Sequence, residues 1–303
     1  MITKKKILIT GSDGFIGSKL SHILDKSSNY NITPAELELE SPDSIAECIN
    51  KKKWDIVIHL AAISYAPLCE KNPKLAFKIN SEATKYLAQE LVKKSPHAHL
   101  IFPSTSYVYA PVDAEKKSIS IDESYPVGPV NIYAKTKYQA EIYLEEIAKP
   151  SDLKVSIFRL FNHTHHTQAK NFFLPNMYQQ LLALKGEPDP VLSVGNIELN
   201  RDFGSVFDLI NMFVQVVESS DKMPAFGVFN VCSGTAKNLK KILETLAKHL
   251  DITNLQFEVD ANRVRSNEPE TIVGNNDLLS GILNWKPSCK SEFDLIDNFL
   301  RDV

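Results

Sequence analysis

A buried strand that runs straight into glycines constrains this chain more than any other feature. Lys4-Lys5-Lys6 lead into the unbroken apolar run Ile7-Leu8-Ile9, followed by Thr10 and by glycines at Gly11, Gly14 and Gly17. An apolar run without polar alternation suits a strand covered on both faces of a parallel sheet. Gly11 allows a tight turn, Gly14 lets the backbone come close to a pyrophosphate, and Gly17 lets the next helix pack against the strand. The first N–H groups of that helix have no intrahelical partner and attract an anion. Phe15, Ile16, Leu20, Ile23 and Leu24 supply its apolar face. The stretch reads as a dinucleotide site in an α/β fold.

Composition limits the alternatives. A chain of 303 residues fits one large α/β unit or two closely joined lobes. Its 43% hydrophobic and 23% charged residues are those of a globular protein rather than a disordered one. The formal net charge is -3, and the basic runs are Lys4-Lys5-Lys6 and Lys51-Lys52-Lys53. Neither nucleic acid nor an anionic membrane surface is an expected partner. Cys48, Cys69, Cys232 and Cys289 lack CxxC spacing, which argues against a disulfide framework and a zinc site and for a reducing cytoplasm. No metal is expected. No apolar run approaches the roughly 20 residues of a membrane span, and no signal-like leader is evident.

A second strand is expected at Tyr30-Asn31-Ile32-Thr33-Pro34, short and polar. NAD sites place an acid at the end of that strand and NADP sites a cation. Neither stands there plainly, and the missing acid tilts the reading toward NADPH, with NADH possible. Ser41 before Pro42 reads as a helix cap. Asp55-Ile56-Val57-Ile58-His59-Leu60-Ala61-Ala62 is a third buried strand ending in small residues, which let a flat nicotinamide ribose approach the backbone. Asn72-Pro73 opens a helix running past Leu91, with Asn80 in its middle, an unusual place for asparagine. His97 to Phe102 forms a fourth strand, and Ser104-Thr105-Ser106-Tyr107 lies at its C-terminal end, the edge where open α/β sheets bind ligands. Ala110 to Val130 reads as a surface loop.

The next helix starts near Asn131 and places Tyr133 and Lys137 at i and i+4 on one face. An ammonium beside a phenol favours the phenolate by direct charge interaction. A phenol near a carbonyl gives or takes the proton that accompanies hydride transfer.

The glycine run with Thr10, a hydroxyl residue after the fourth strand and Tyr133-x-x-x-Lys137 together resemble the signature of the extended short-chain dehydrogenase/reductases, the NAD-dependent epimerase/dehydratase family. By spacing from Val108-Tyr109 the family's Ser/Thr falls on Thr105, ahead of Ser104 and Ser106. The resemblance implies catalytic Thr105, Tyr133 and Lys137, and a fold that is α/β with a Rossmann-type doubly wound parallel sheet and a smaller interleaved C-terminal substrate-binding lobe. It implies a Rossmann domain over 1–160, with returning segments near 202–232, and a sugar-nucleotide lobe over 161–201 and 233–303. The cofactor contacts it implies fall on Gly11, Asp13, Gly14, Phe15, Ile16 and Gly17, on Leu60, Ala61, Ala62 and Asn80, and on Tyr133, Lys137 and Leu160. Asn80 takes the superfamily's role of organising a water that relays the proton outward. A homodimer through the helices bearing Asn80 and Tyr133 is implied as well.

A fifth strand, Lys154 to Leu160, leads into Arg159-Leu160-Phe161-Asn162-His163-Thr164, similar to the Arg-Pro-Phe-Asn-His-Thr run of nucleotide-sugar 4-keto reductases. Leu160 replaces the proline, and His165-His166 replace Gly-Pro, a departure that reshapes the sugar pocket or supplies a proton carrier. Val194-Gly195-Asn196-Ile197 and Arg201-Asp202-Phe203 resemble runs of GDP-sugar dehydratases and reductases, and Arg265-Ser266-Asn267-Glu268-Pro269 resembles a later one. Substrate contacts are thereby implied at Ser106, Tyr107, Asn162, His163, Pro175, Asn196, Arg201, Arg265 and Glu268. A guanidinium suits a diphosphate through its planar fork; for Arg201 the bland alternative is a structural pair with Asp202.

The departures narrow the implied chemistry. The family's 4,6-dehydratases carry carboxylates directly after the catalytic Ser/Thr, where this chain has Ser106 and Tyr107. Its epimerising reductases carry a Cys in that neighbourhood, and none lies near Thr105 in sequence. What the resemblance implies is carbonyl reduction at C4 of a nucleotide-diphosphate 4-keto-6-deoxy sugar, nearest to the group acting on GDP-4-keto-6-deoxy-D-mannose. A dTDP, CDP or GDP-heptose substrate is the alternative, and a non-catalytic NADP-binding regulator is the alternative from another class.

Overall fold

The structure of the chain is a computed structural model that describes residues 4–112, 116–264 and 268–302. The first half alternates strand and helix: β1 (Lys5–Thr10), α1 (Phe15–Asp25), β2 (Tyr30–Pro34), α2 (Pro42–Asn50) and β3 (Ile56–His59). Ser41 caps α2 by accepting from the Ser44 amide, with Pro42 at the first turn. A short helix α3 (Ala66–Lys71) comes before Asn72, and the expected helix after Asn72 is segmented into α4 (Pro73–Phe77), a π-helical turn at Lys78–Glu82 and α5 (Ala83–Lys94). Next come β4 (His99–Thr105), β5 (Ser118–Ile121), α6 (Ile132–Ala148), β6 (Lys154–Leu160) and β7 (Asn162–Thr164). The second half adds α7 (Phe173–Leu184), β8 (Val191–Val194), β9 (Asn200–Ser205), α8 (Val206–Glu218), β10 (Phe226–Val231) and β11 (Ala236–Asn238). It closes with α9 (Leu239–His249), β12 (Gln256–Val259), β13 (Thr271–Gly274), α10 (Asp277–Leu283) and α11 (Glu292–Leu300).

Six parallel strands form the main sheet in the order β10-β6-β4-β3-β1-β2. The alternating apolar strands are buried because helices cover both faces. Leu20 and Leu24 of α1, the apolar side of α8 and Trp285 cover one face. Ile45 and Ile49 of α2, Leu87 and Leu91 of α5, and Ala140 and Leu144 of α6 cover the other. The chain goes from β1 outward to β2, then crosses to β3 on β1's other side. That reversal opens a crevice at the carboxyl ends of β1 and β3.

A second sheet, β11-β9-β13-β5 with β7 paired to β9, holds a core shared with α7, α9 and α11. Residues 110–130 are expected to be a surface loop, and β5 corrects that reading. Ser118-Ile119-Ser120-Ile121 alternates polar and apolar side chains, pairs with β13 and buries Ile121. Polar composition hides a strand that lies at the edge of a sheet. β6 ends at Leu160 and β7 begins at Asn162, so the chain steps from one sheet to the other across Phe161.

Candidate active site

The glycine turn is built by close backbone approach. Gly11 has φ +65, and a Cβ there would sit 2.8 Å from the Ala61 amide nitrogen at the end of β3. A Cβ on Gly17 would overlap the Gly11 carbonyl oxygen. Gly14 stands at the N-cap of α1, and no side chain caps that end. The first-turn N–H groups therefore remain available to an anion at the crevice between β1 and β3. A bare turn of this shape, walled by the Leu60–Ala61 backbone, fits the pyrophosphate of a dinucleotide.

Behind the turn runs a buried polar chain. The Ala61 amide donates to Thr10 Oγ1 (3.1 Å), which lies 2.7 Å from His59 Nδ1. His59 Nε2 lies 3.1 Å from Thr84 Oγ1, and Thr84 donates to the Asn80 carbonyl (2.9 Å). These partners are mutually consistent when the His59 proton is on Nε2. Burial, aided by the charge of Lys137, pushes His59 down to about 3, so the ring is neutral.

Asn80 lies in the π-helical turn, fully buried. Its Oδ1 accepts from the Ile63 amide (2.8 Å), and its Nδ2 donates to the Ile63 carbonyl (3.0 Å) and to Thr136 Oγ1 (3.0 Å). Thr136 in turn donates to the Tyr133 carbonyl (2.7 Å). The Asn80 side chain thus clamps the loop after β3 to the helix that carries Tyr133. An asparagine in mid-helix earns its place by these three bonds.

Thr105 ends β4, and its side chain lies close to Tyr133 near the start of α6. Thr105 Oγ1 also accepts from the Tyr107 amide (3.3 Å). Ser104, the neighbouring hydroxyl, instead donates to Glu141. Lys137 sits one helical turn below Tyr133, only 4% exposed, with Nζ 3.8 Å from the centroid of the Phe102 ring. Burial pulls Lys137 down to about 7, and the charge of Glu141 opposes that fall. By sequence spacing alone, the Lys137 ammonium near the Tyr133 phenol favours the phenolate. In the structure burial dominates and pushes the Tyr133 phenol up, so the group holds its proton.

Cys69 alters a second expectation. No cysteine is near Thr105 in sequence, yet α3, which carries Cys69, packs on α6 and brings that thiol within electrostatic reach of Tyr133. The thiol is buried, donates to the Ile63 carbonyl (3.5 Å) and is pushed up by burial and by Glu70. A protonated, engaged thiol is not a base for epimerisation.

On the substrate side, Leu160 lies level with Thr105 and Val231 across three strands. Two residues on, Asn162 donates to the Asp202 carbonyl (3.0 Å), and His163 Nδ1 lies 3.0 Å from the Phe161 carbonyl. Tyr107 is exposed at the rim and Ser106 half-buried, while Pro175 packs inside the first turns of α7. Asn196 is exposed and accepts from the Glu198 amide (3.2 Å). Arg201 does not pair with Asp202. Its Nη1 donates to the carbonyls of Asn200, Pro269 and Glu270, and its Nη2 lies 3.7 Å from Glu268. Asp202 is taken by the amides of Ser233, Gly234 and Gly274. Arg265 lies outside the described residues. His165 and His166 turn toward the end of the chain: His165 Nε2 meets the Arg301 carbonyl (2.7 Å), and the His166 ring packs on Phe299. Among the described residues no group of His, Cys, Asp and Glu is arranged to hold a metal.

Sequence reasoning passed over Glu141, and it weighed Ser104 only as a second choice for the catalytic hydroxyl and Arg159 only as part of a family run; the three form a buried cluster behind Lys137. The signal was present in Tyr133, Lys137 and Glu141 at successive i, i+4 positions on one helix face.

Three comparisons bear on this geometry. The chain is 28% identical over 289 residues to the GDP-6-deoxy-D-mannose reductase of Pseudomonas aeruginosa, covering 93% of this chain and 92% of that protein. It is 27% identical over 285 residues to the GDP-6-deoxy-D-talose 4-dehydrogenase of Aggregatibacter actinomycetemcomitans, covering 92% and 91%. The solved structure of RMD from Pseudomonas aeruginosa complexed with NADPH superposes with a TM-score of 0.84 at 25% identity, covering 98% of this chain and 99% of that one. The family model for NAD dependent epimerase/dehydratases matches residues 7–232, which hold the glycine turn, Thr105, Tyr133, Lys137 and all six strands of the main sheet. The chain belongs to the NAD dependent epimerase/dehydratase family.

Proposed function

We propose that the chain is an NADPH-dependent reductase of the C4 keto group of a nucleotide-diphosphate 4-keto-6-deoxy sugar, with GDP-4-keto-6-deoxy-D-mannose as substrate and GDP-D-rhamnose or its C4 epimer as product. The observation that carries this reading is the juxtaposition of Thr105 and Tyr133, with Lys137 one turn away and Ser106-Tyr107 where a dehydratase has carboxylates. The relatives named for GDP-6-deoxy sugars support the choice of GDP, and the relative solved with NADPH supports the choice of cofactor.

When bound, the nicotinamide supplies the hydride that reaches C4. Thr105 hydrogen-bonds the carbonyl oxygen. Tyr133, held protonated by burial, gives its proton to that oxygen as charge develops there, so the C=O becomes CH–OH. Lys137 places a positive charge under the resulting phenolate and on the ribose side of the site. Glu141, the carboxylate behind Lys137, is engaged by Arg159 and Ser104, which leaves it unsuited to water elimination.

Asn162, His163, Pro175, Asn196, Arg201, Arg265 and Glu268 are assigned to the sugar-nucleotide side, with Arg201 meeting the diphosphate. The same reading includes a homodimer through the helices that carry Asn80 and Tyr133, and a cytoplasmic enzyme. Free, buried cysteines accord with a reducing compartment, and among the described residues no helix is long and apolar enough to cross a membrane.

The test is to mix the protein with NADPH and GDP-4-keto-6-deoxymannose generated in place by a dehydratase, then follow loss of reduced cofactor and identify the sugar. Rapid oxidation with a GDP-6-deoxyhexose product supports the proposal, and the product's C4 configuration separates rhamno from talo. Absence of oxidation while NADPH binds would redirect the search to other nucleotides.

A further inference from the structure

Directly beneath Thr105, Leu160 and Val231, one row deeper in the sheet, stand Ser104, Arg159 and Asn230 on β4, β6 and β10, aligned by strand register. A polar row inside a doubly covered sheet is costly unless every group is bonded. Here the row is closed from above by Glu141 of α6. Arg159 grips its carboxylate through Nε (3.3 and 3.2 Å) and Nη2 (2.7 Å), and Ser104 donates to the same carboxylate. The Arg159 guanidinium lies 4.8 Å from the centroid of the Tyr109 ring. The Tyr109 hydroxyl donates to Asn230 Oδ1 (2.6 Å), and Asn230 donates to the Ile121 carbonyl of β5 (3.0 Å) and, through its amide, to Glu123 (2.7 Å). Glu141, Lys137 and Arg159 are each at most 6% exposed.

We propose that Glu141 is a positioning residue for the reduction: its carboxylate latches the strand end carrying Thr105 to the helix carrying Tyr133 and Lys137, and it stands one turn behind Lys137 as counter-charge. Two things follow from the geometry. Ser104 is the residue before Thr105, so its bond to Glu141 sets the height at which Thr105 meets Tyr133. Of the three buried charges, Glu141 offsets one cation, and the site keeps one net positive charge facing the reacting oxygen. The row also reaches β5 through Asn230, tying the substrate-side sheet to the same frame.

The charged and titratable groups around Lys137 are few. Glu141 and Tyr133 share its helix, Arg159 lies behind Glu141 on β6, His59 faces it from β3, and Cys69 of α3 lies within electrostatic reach of Tyr133. His59 stays neutral down to about pH 3, and burial pushes Tyr133 and Cys69 up, so the group that titrates near neutrality is Lys137.

This inference rests on the proposed reductase, and the experiment separates the two. Wild type is assayed first with NADPH and GDP-4-keto-6-deoxymannose; absence of turnover there refutes the substrate assignment and not the latch. Given turnover, Glu141→Gln is expected to lower kcat about tenfold or more and to move the alkaline limb of its pH profile down by about one unit, because the carboxylate no longer holds the Lys137 proton. NADPH affinity at pH 6, read from cofactor fluorescence, stays within about threefold, since Lys137 without Glu141 is still about half charged there. Ser104→Ala leaves all charges in place and is expected to lower kcat about threefold or more with the alkaline limb unmoved. An unmoved limb in Glu141→Gln, or a wild-type kcat in Ser104→Ala, overturns the proposal. Should Glu141→Gln fail to fold, Ser104→Ala decides by itself.

Discussion

Thr105 stands close to Tyr133 across the join between a strand end and a helix start, and burial keeps the Tyr133 proton in place. A half-buried phenol beside a hydroxyl is a proton donor waiting for a developing alkoxide, not a preformed base. Tyr133→Phe is expected to lower kcat by roughly two to four orders of magnitude while NADPH still binds, since the ring's packing is unchanged. Stopped-flow turnover together with a fluorescence titration checks both halves. Near-normal turnover in this variant would refute the proton-donor role.

Lys137 is the group whose charge changes near neutral pH. Burial brings it to about 7, so in the free enzyme it is an ammonium below that pH and an amine above it. An anionic dinucleotide binds the ammonium form better. The NADPH dissociation constant is expected to rise roughly threefold or more between pH 7 and pH 9. Lys137→Met removes that trend, and a wild-type slope in the variant would assign it to another group.

Acid should destabilise the fold through its buried imidazoles, among which His59 and His99 are pushed far down. His59 lies between Thr10 and Thr84, and His99 between Ser220 and Ser156; burial pushes each down to about 3. An unfolded His takes up a proton near pH 6.5, while the folded one does not. The stability each contributes is therefore complete above pH 6.5 and is lost as pH falls toward 3. At pH 5 the loss is roughly 2 kcal/mol per imidazole. Urea unfolding at pH 7 and pH 5 measures it, and His99→Gln should flatten the dependence by roughly a quarter to a third, since His163 and His165 are lowered as well. An unchanged dependence in that variant would place the acid sensitivity elsewhere.

Gly17→Ala is expected to disable the cofactor site through the backbone. The added methyl would overlap the Gly11 carbonyl, so either the turn or α1 must move. A loss of roughly 2 kcal/mol or more in stability and of measurable NADPH binding is expected. Gly281→Ala, with open space around the added Cβ, serves as the control.

Much of this site is legible in the chain because its signals are local. A strand flowing into Gly11, Gly14 and Gly17 needs only neighbouring residues to define a turn, and Tyr133 and Lys137 share a helix face by spacing alone. The helix cap at Ser41 is of the same kind. The protonation state of Tyr133 is not, because it depends on how deeply α6 is buried against β4 and α3. The strand within residues 110–130 was missed because its pairing partner, β13, lies far along the chain.

The sequence by itself determined the dinucleotide turn, the parallel-sheet class and the Tyr–Lys pair, since turn conformation and helix periodicity are set by adjacent residues. Tertiary structure alone decided that Ser104, Arg159 and Asn230 form one row beneath Thr105, that Glu141 closes it, and that the helix carrying Cys69 packs on the helix carrying Tyr133. Those relations depend on strand register and on which helix covers which face. Contacts between residues far apart in the chain leave no periodic trace in it.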